Sequence, residues 1–180
     1  ELASAGRNIT IESFNTSLLN EPWEIKNGSG RPFQVFTPYW RKSRAGIYRE
    51  PADYSLSSLS FSTVQSPGHK LDELGLLPSH DWHTKLSEHW DVSEDAAHKL
   101  IQRTADVITR SYATARNIPS KDGTSRLSPY LAWGLVSPRQ ICQAVLTADN
   151  EGGHRGENKY LVEIGWREFS YQLLYHFPHI

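Results

Sequence analysis

The 180-residue sequence predicts a mostly α-helical chain, with a short strand-forming part at its start and an irregular segment between the two. From Ser93 onward, apolar residues recur at helical spacing behind residues typical of helix caps, and no stretch has strand character. Residues 46–92 show no sustained periodicity and are rich in Ser, Pro and Asp, as connecting segments are. Residues 8–14 alternate apolar and polar side chains, which is the period of a strand. These observations divide the chain into ranges 1–45, 46–92 and 93–180.

The first range contains signals for a second strand and for a helix. Asn27-Gly28-Ser29-Gly30 predicts a turn. Residues 32–37 predict either a second short strand or extended chain leading into a helix. Thr37 has the residue type of an N-cap and Pro38 suits the first helical position, so a helix is expected to begin here.

The middle range carries only short local signals. Gly75 is expected to end a turn of helix that begins at Leu71. Three apolar side chains four residues apart could pack on one face: Trp82, Leu86 and Trp90. His80 and His83 form a pair without a third ligand nearby, and since metal sites are marked by clusters of ligands, no metal site is predicted.

The last range predicts a succession of capped helices. Ser93 is expected to cap the first of them, with acidic residues in its first turn that complement the helix dipole. Later helices are expected to open at Ser128 and Ser137. A polar, Gly-rich loop is expected from 149 to 156, followed by a last helix from about 158 to about 176.

The composition is that of a globular protein, with 38% hydrophobic residues and six Trp. No apolar run approaches the length of a membrane span and the N-terminal residues lack the pattern of a basic-then-apolar leader, so no membrane partner is expected. Cys142 is the only cysteine, which excludes an internal disulfide and predicts a reducing, cytoplasmic location. The net charge is −1, yet residues 110–139 hold five basic residues and one acidic residue. Such a run is commonly a solvated surface, or else a patch that meets a polyanion.

The first stretch that suggests chemistry runs from Gly123 to Gly134. Three hydroxyls lie around the start of its predicted helix: Thr124, Ser125 and Ser128. Ser128 is expected to be the N-cap with Pro129 after it, and Gly134 is expected to end the helix in the left-handed conformation. Unpaired N–H groups, hydroxyls and Arg126 would together suit a phosphate, although an ordinary capped helix explains the same residues.

The second such stretch is the last helix. Tyr160, Glu163 and Arg167 are spaced to share one face, with Trp166 beside them. An exposed Glu163–Arg167 ion pair between half-buried aromatic rings is the ordinary interpretation of this pattern. The functional interpretation is that an aromatic plane replaces the stacking lost by a base turned out of DNA, while polar groups read its edge.

The two stretches in order, GTSRLSPYLAWGLVSPRQI and EIGWREFSYQLLYHFP, resemble the FAD-binding domain of the DNA photolyase/cryptochrome family, most of all its bacterial class I cyclobutane pyrimidine dimer photolyases. The similarity is dense from Leu71 to Pro178. It implies an internal fragment: residues 1–45 as the end of an α/β, Rossmann-like antenna domain, 46–92 as an interdomain linker, and 93–180 as the first helices of an all-α FAD-binding domain.

The resemblance implies a light-dependent lyase that repairs cyclobutane pyrimidine dimers in DNA by electron transfer from reduced FAD, or, alternatively, a cryptochrome-type photoreceptor without repair. The implied partner is dimer-containing DNA, and the implied full-length protein is a monomer. A folate or deazaflavin antenna chromophore is expected outside this chain. The fragment alone is expected to be inactive.

The resemblance also assigns roles to individual residues. The expected catalytic residues, which meet the dimer, are Glu163 and Trp166. The expected cofactor-binding residues are Tyr112, Thr124, Ser125, Arg126, Leu127, Ser128, Tyr160 and Arg167. The expected DNA-binding residues are Arg116, Glu163, Trp166, Arg167, Glu168 and Ser170.

Overall fold

The computed structural model describes residues 13–52, 57, 59–60, 68–152 and 157–179. Within these ranges the protein is mostly helical and has no strand, which confirms the predicted helical character. The α-helices are α1 (Phe36–Ser43), α2 (Trp82–Ser87), α3 (Glu94–Arg103), α4 (Thr109–Ala115), α5 (Ser128–Ala132), α6 (Pro138–Gly152) and α7 (Glu157–His176). Two 3-10 helices (Arg44–Tyr48 and Leu71–Leu74) and a π-helical turn (Thr104–Ile108) complete the described elements.

The N-terminal strand predictions have two outcomes. Residues 8–12 lie outside the described residues, and residues 13–14 are not in a strand. Near residue 32 the structure has an isolated antiparallel bridge to Lys26 and no second strand. Val35 is extended (φ −131°, ψ 135°) and serves as the N-cap of α1. The extended chain leading into a helix is therefore the correct alternative, although α1 begins two residues before the expected position at Pro38.

A long helical run replaces the single helix expected after Ser93. The Ser93 hydroxyl accepts a hydrogen bond from the Ala96 N–H at 3.1 Å, as a side-chain N-cap does. The π-helical turn then joins α3 to α4. The buried residues keep helical spacing through this turn, and Tyr112 on α4 contacts Tyr160 on α7.

Local signals also end α5 and open α6. Gly134 has φ 71°, and the Leu135 N–H reaches the Tyr130 carbonyl at 2.9 Å, which is the pattern of a Schellman motif. Ser137 and Gln140 form a capping box, with reciprocal bonds of 2.7 and 3.2 Å. The helix α6 continues to Gly152, so the predicted loop from 149 starts later than expected.

The core lies between the α3–α4 run, α5, α6 and α7. It is made of apolar side chains that are at least nine-tenths buried, among them Ala97, Ile101, Ile108, Tyr112, Leu127, Tyr130, Ile141, Val145, Tyr160, Leu161 and Ile164. A smaller cluster of Ile25, Tyr39 and Phe169 joins α1 to the second half of α7. None of the helices within the described residues is long and apolar enough to cross a bilayer.

The middle range follows its local signals in part. Gly75 has φ 60° and ends the 3-10 helix that begins at Leu71, as predicted. The expected common face of three side chains forms only partly. Trp90 is half-buried against Tyr130 (centroids 6.3 Å apart), whereas Trp82 is 60% exposed.

Candidate functional site

A buried tyrosine pair joins α4 to α7. The rings of Tyr112 and Tyr160 meet edge to face, with centroids 4.9 Å apart and planes at 79°. Ser125 makes a side-chain hydrogen bond with Tyr160. Burial raises the pKa of both phenols, so both are neutral at physiological pH. The structure therefore brings together three residues predicted to bind the cofactor.

The loop from Gly123 to Leu127 lies directly against the end of α4. A Cβ added at Gly123 would lie 2.6 Å from the carbonyl carbon of Ala115, so no larger residue fits there without movement. Leu127 is buried and anchors the loop, and the Ser125 hydroxyl accepts from its N–H at 3.3 Å. The Thr124 hydroxyl lies on an exposed residue, which leaves it accessible to a ligand.

Arg126 holds an unusual backbone conformation in this loop. Its φ of 55° is left-handed, which costs a non-glycine residue roughly 1–2 kcal/mol. Its exposed guanidinium lies 3.6 Å from Asp122, which also pairs with Arg103 at 2.7 Å. The predicted phosphate contact Arg126 is therefore presented to solvent by a constrained turn, with part of its charge offset by a neighbour.

The helix after this loop differs from expectation. The N-cap position of α5 is Leu127, no side chain caps it, and the predicted Ser128 cap is wrong by one residue. The helix has only five residues, so we expect its dipole to contribute little to the predicted anion site. The exposed Ser128 hydroxyl and the loop hydroxyls remain as donors.

Glu163 is held by two cations. It forms ion pairs with Arg116, from the end of α4, and with Lys159, one turn earlier on α7 at 3.0 Å. The Arg116 guanidinium also lies over the Tyr112 ring, 5.3 Å from its centroid. Burial raises the pKa of the Glu163 carboxyl, but the hydrogen bonds from Arg116 and Lys159 outweigh it and leave the pKa below its ordinary value. Glu163 is therefore ionised at neutral pH while about a quarter of its side chain faces solvent.

Trp166 is covered on one ring face and is still half-exposed. Its indole stacks on Phe36 of α1, with centroids 3.8 Å apart and planes at 10°, yet the residue is 44% exposed. The ring of Trp40 is nearly parallel to that of Phe36, with centroids 6.2 Å apart. Sequence reasoning missed both α1 rings, although their i, i+4 spacing was visible in the sequence.

Arg167 and Glu168 turn toward the N-terminal segment. Arg167 donates to the Ser17 carbonyl at 2.7 Å instead of pairing with Glu163 on the expected shared face. Glu168 is 2% exposed, and its carboxylate accepts from the N–H groups of residues 19–20 at 2.7 and 3.3 Å. Burial raises the Glu168 pKa to about 7. The predicted DNA contact at Glu168 is thus at odds with its position in the fold.

The remaining predicted DNA contact, Ser170, is exposed and donates to the Trp166 carbonyl at 2.9 Å. A cavity of about 780 Å³ between α3 and α6 is lined by none of the predicted site residues. The predicted residues that the structure brings together are therefore those on the facing sides of α4, the loop and the first half of α7.

Comparisons with known proteins identify relatives of this chain. The sequence profile of the DNA photolyase family matches residues 1–55. A deoxyribodipyrimidine photo-lyase of Agrobacterium fabrum is 34% identical over 174 residues, which are 96% of this chain and 36% of that protein. Cryptochrome-2 of Arabidopsis thaliana is 29% identical in an alignment 187 residues long, which covers 96% of this chain and 30% of that protein.

The fold is also that of a solved structure, a bacterial class III photolyase from Agrobacterium tumefaciens. The two superpose with a TM-score of 0.87 at 33% identity over 98% of this chain and 37% of the other. The chain thus spans about a third of the length of the proteins it matches. Its sequence and its fold together show that it belongs to the DNA photolyase/cryptochrome family.

Proposed function

We propose that the chain is part of a light-dependent DNA-repair lyase that acts on cyclobutane pyrimidine dimers. The observation that carries this proposal is the first half of α7, where an ionised Glu163 and a half-exposed Trp166 lie three residues apart. A relative named deoxyribodipyrimidine photo-lyase, aligned over almost the whole chain, supports the same reaction.

The residues of the loop and of the tyrosine pair fit an FAD cofactor. Accessible hydroxyls and a cation are the donors that phosphate oxygens require, and Gly123 allows the loop backbone to lie close to α4. The residues that would hold FAD are Tyr112, Thr124, Ser125, Arg126, Leu127, Ser128 and Tyr160. When bound and reduced, FAD supplies the light-excited electron donor of this enzyme class. Arg167 is committed to the N-terminal segment, so its part in cofactor binding would be indirect.

The chain's own residues would bind and orient the lesion. Glu163 offers carboxylate oxygens as hydrogen-bond acceptors, and its two cation partners keep it ionised and fixed in place. Trp166 offers a ring face on which a pyrimidine turned out of the duplex can stack. Arg116 would add positive charge beside Glu163, which favours the DNA backbone. Glu168, being buried, is left out of the proposed DNA contacts.

We extend the proposal to the whole protein that contains this chain. Residues 1–45 would be the end of a Rossmann-like α/β domain, 46–92 an interdomain linker and 93–180 the start of the FAD-binding domain. A folate or deazaflavin antenna would be held elsewhere in that protein, which would act on dimer-containing DNA as a monomer. The bacterial class I assignment stays a prediction, and the solved relative is a class III enzyme.

A second candidate is a cryptochrome-type photoreceptor, which the match to Cryptochrome-2 favours. The two candidates share the proposed FAD-binding residues and differ in whether pyrimidine dimers are split. The test is to irradiate the purified whole protein with blue light in the presence of an oligonucleotide carrying one thymine dimer, with a dark control. Recovery of undamaged thymines in the light but not in the dark supports repair. Photoreduction of bound flavin without any recovered thymine would favour the photoreceptor.

A further inference from the structure

Trp166 is fixed by contacts on one face and one edge. Phe36 covers one indole face, with nearly parallel planes (10°) and centroids 3.8 Å apart. Phe169 meets the indole edge to face at 6.0 Å and 72°. The residue is nevertheless 44% exposed, and no further ring of the described residues contacts it, so we infer that the face opposite Phe36 is the accessible one. The indole plane is thus set by neighbours within the fold before any ligand arrives.

Phe36 is held in turn by its own neighbours. Trp40 stacks on it at 6.2 Å and 11°, and Phe169 meets it at 5.9 Å and 67°. Trp40 lies so close to Gly165 that a Cβ at this position would clash with its ring. The three rings therefore comprise Trp40 and Phe36 of α1 and Trp166 of α7, and Trp40 also packs against α7 at Gly165.

We propose that Phe36 is a positioning residue, whose ring orients the Trp166 indole so that its free face receives a flipped pyrimidine of damaged DNA. The proposal rests on the proposed function, since it names the residue that prepares the same lesion face. A side chain already held in its binding orientation loses less conformational freedom when the ligand stacks on it. Without the Phe36 ring, the indole would regain rotamers that do not present this face.

The test uses matched substitutions in the whole protein. Phe36→Leu removes the ring but keeps apolar volume, and Phe36→Tyr restores the ring. Phe33→Leu is the control. Phe33, like Phe36, packs against the cluster of Ile25, Tyr39 and Phe169. Its ring meets that of Tyr39 at 6.3 Å and makes no ring contact with Trp166. Thermal melting identifies any variant that fails to fold, and affinity is measured for a duplex with one thymine dimer and for the undamaged duplex.

We expect Phe36→Leu to reduce the preference for dimer-containing over undamaged DNA by roughly three- to tenfold. This is the range expected when binding must immobilise one side chain that was previously held in place. Phe36→Tyr and Phe33→Leu should keep the wild-type preference. In a Trp166→Ala background, Phe36→Leu should cause no further loss, because its effect passes through the indole.

Two results would overturn the inference. One is that folded Phe36→Leu protein prefers dimer-containing DNA as strongly as the wild type does. The other is that Phe36→Leu reduces this preference by the same factor whether Trp166 is present or replaced by Ala. Failure of the proposed function has a different signature, in which the wild-type protein itself does not prefer the dimer. If Phe36→Leu does not fold, the same comparison is made with Phe36→Tyr and Phe36→Met, and equal preference in these two overturns the inference as well.

Discussion

The guanidinium of Arg116 at the end of α4 forms an ion pair with the Glu163 carboxylate on α7, and the same guanidinium lies over the Tyr112 ring. One side chain thus links the tyrosine pair on the proposed cofactor side to the carboxylate on the proposed lesion side. The hydrogen bond from Arg116 is the largest influence that lowers the Glu163 pKa. This pair therefore determines the charge that the proposed lesion face carries.

The first prediction concerns the pH dependence of repair. In Arg116→Ala, burial is opposed only by Lys159, so the Glu163 pKa should rise and less of the carboxylate should be ionised at mildly acidic pH. The pH at which the repair yield falls on acidification should therefore be higher in Arg116→Ala than in the wild type. In Arg116→Lys this pH should stay near the wild-type value. Repair yields are measured across pH at matched flavin content. Arg49→Ala, which breaks an ion pair with Glu24 outside the proposed site, is the control. An unchanged pH dependence in Arg116→Ala would contradict the assignment.

The second prediction concerns stability and Glu168. The pKa of this buried carboxyl is about 7 in the folded protein and near its ordinary value of 4.5 in the unfolded chain. Between these pH values the folded state keeps a proton that the unfolded state releases, so wild-type stability should fall as pH rises through this window. Glu168→Gln does not titrate.

The melting temperature of Glu168→Gln minus that of the wild type should therefore increase from pH 5 to pH 8. Glu88→Gln, at an exposed carboxyl, controls for the loss of a negative charge. A difference that stays constant with pH would show that Glu168 has the same protonation state in the folded and unfolded chain.

The third prediction concerns the close contact at Gly123. In Gly123→Ala the new methyl group would lie 2.6 Å from Ala115, so the loop must move away from α4. We expect a loss of roughly 1–3 kcal/mol in the free energy of unfolding, typical of overpacking. Flavin content should fall with it, because the loop carries the proposed phosphate donors. Gly28→Ala, with open space around the glycine, is the matched control and should match the wild type in both readouts.

The fourth prediction concerns the loop hydroxyls. Replacing Thr124 and Ser128 together by Ala should weaken FAD retention, since each hydrogen bond to a charged phosphate is worth roughly 1.5–3 kcal/mol. Both residues are exposed, so the melting temperature of the flavin-free protein should stay near that of the wild type. Flavin absorbance per purified protein is the readout, with Ser120→Ala as the control in the same connection. Wild-type flavin content in the double variant would contradict the phosphate assignment.

Local sequence signals predicted the ends of helices better than the contacts between them. The Ser93 cap, the left-handed Gly134 and the Ser137 cap each depend on residues a few positions apart, and each forms as predicted. The start of α5 differed because Leu127 is drawn into the core and takes the N-cap position from Ser128.

The site itself depends on contacts that the sequence does not encode locally. Phe36 and Trp166 stack although they lie far apart in the chain, and neither residue's neighbours indicate the other. Glu168 looks like a surface carboxylate in sequence, but in the fold it is buried and accepts hydrogen bonds from the N–H groups of residues 19–20. Family resemblance located the candidate site on α7, but only the structure distinguishes the half-exposed Trp166 from the buried Glu168 two positions later.

The central claim is that the first half of α7 contacts the lesion. The light-dependent repair yield of Glu163→Ala tests this claim most directly. Wild-type and variant whole protein are compared at equal flavin content on an oligonucleotide carrying one thymine dimer, with thymine recovery counted per absorbed photon. Losing a hydrogen bond to a charged group should lower the yield by about tenfold or more while flavin content is unchanged. Equal yields for wild type and Glu163→Ala would contradict the account.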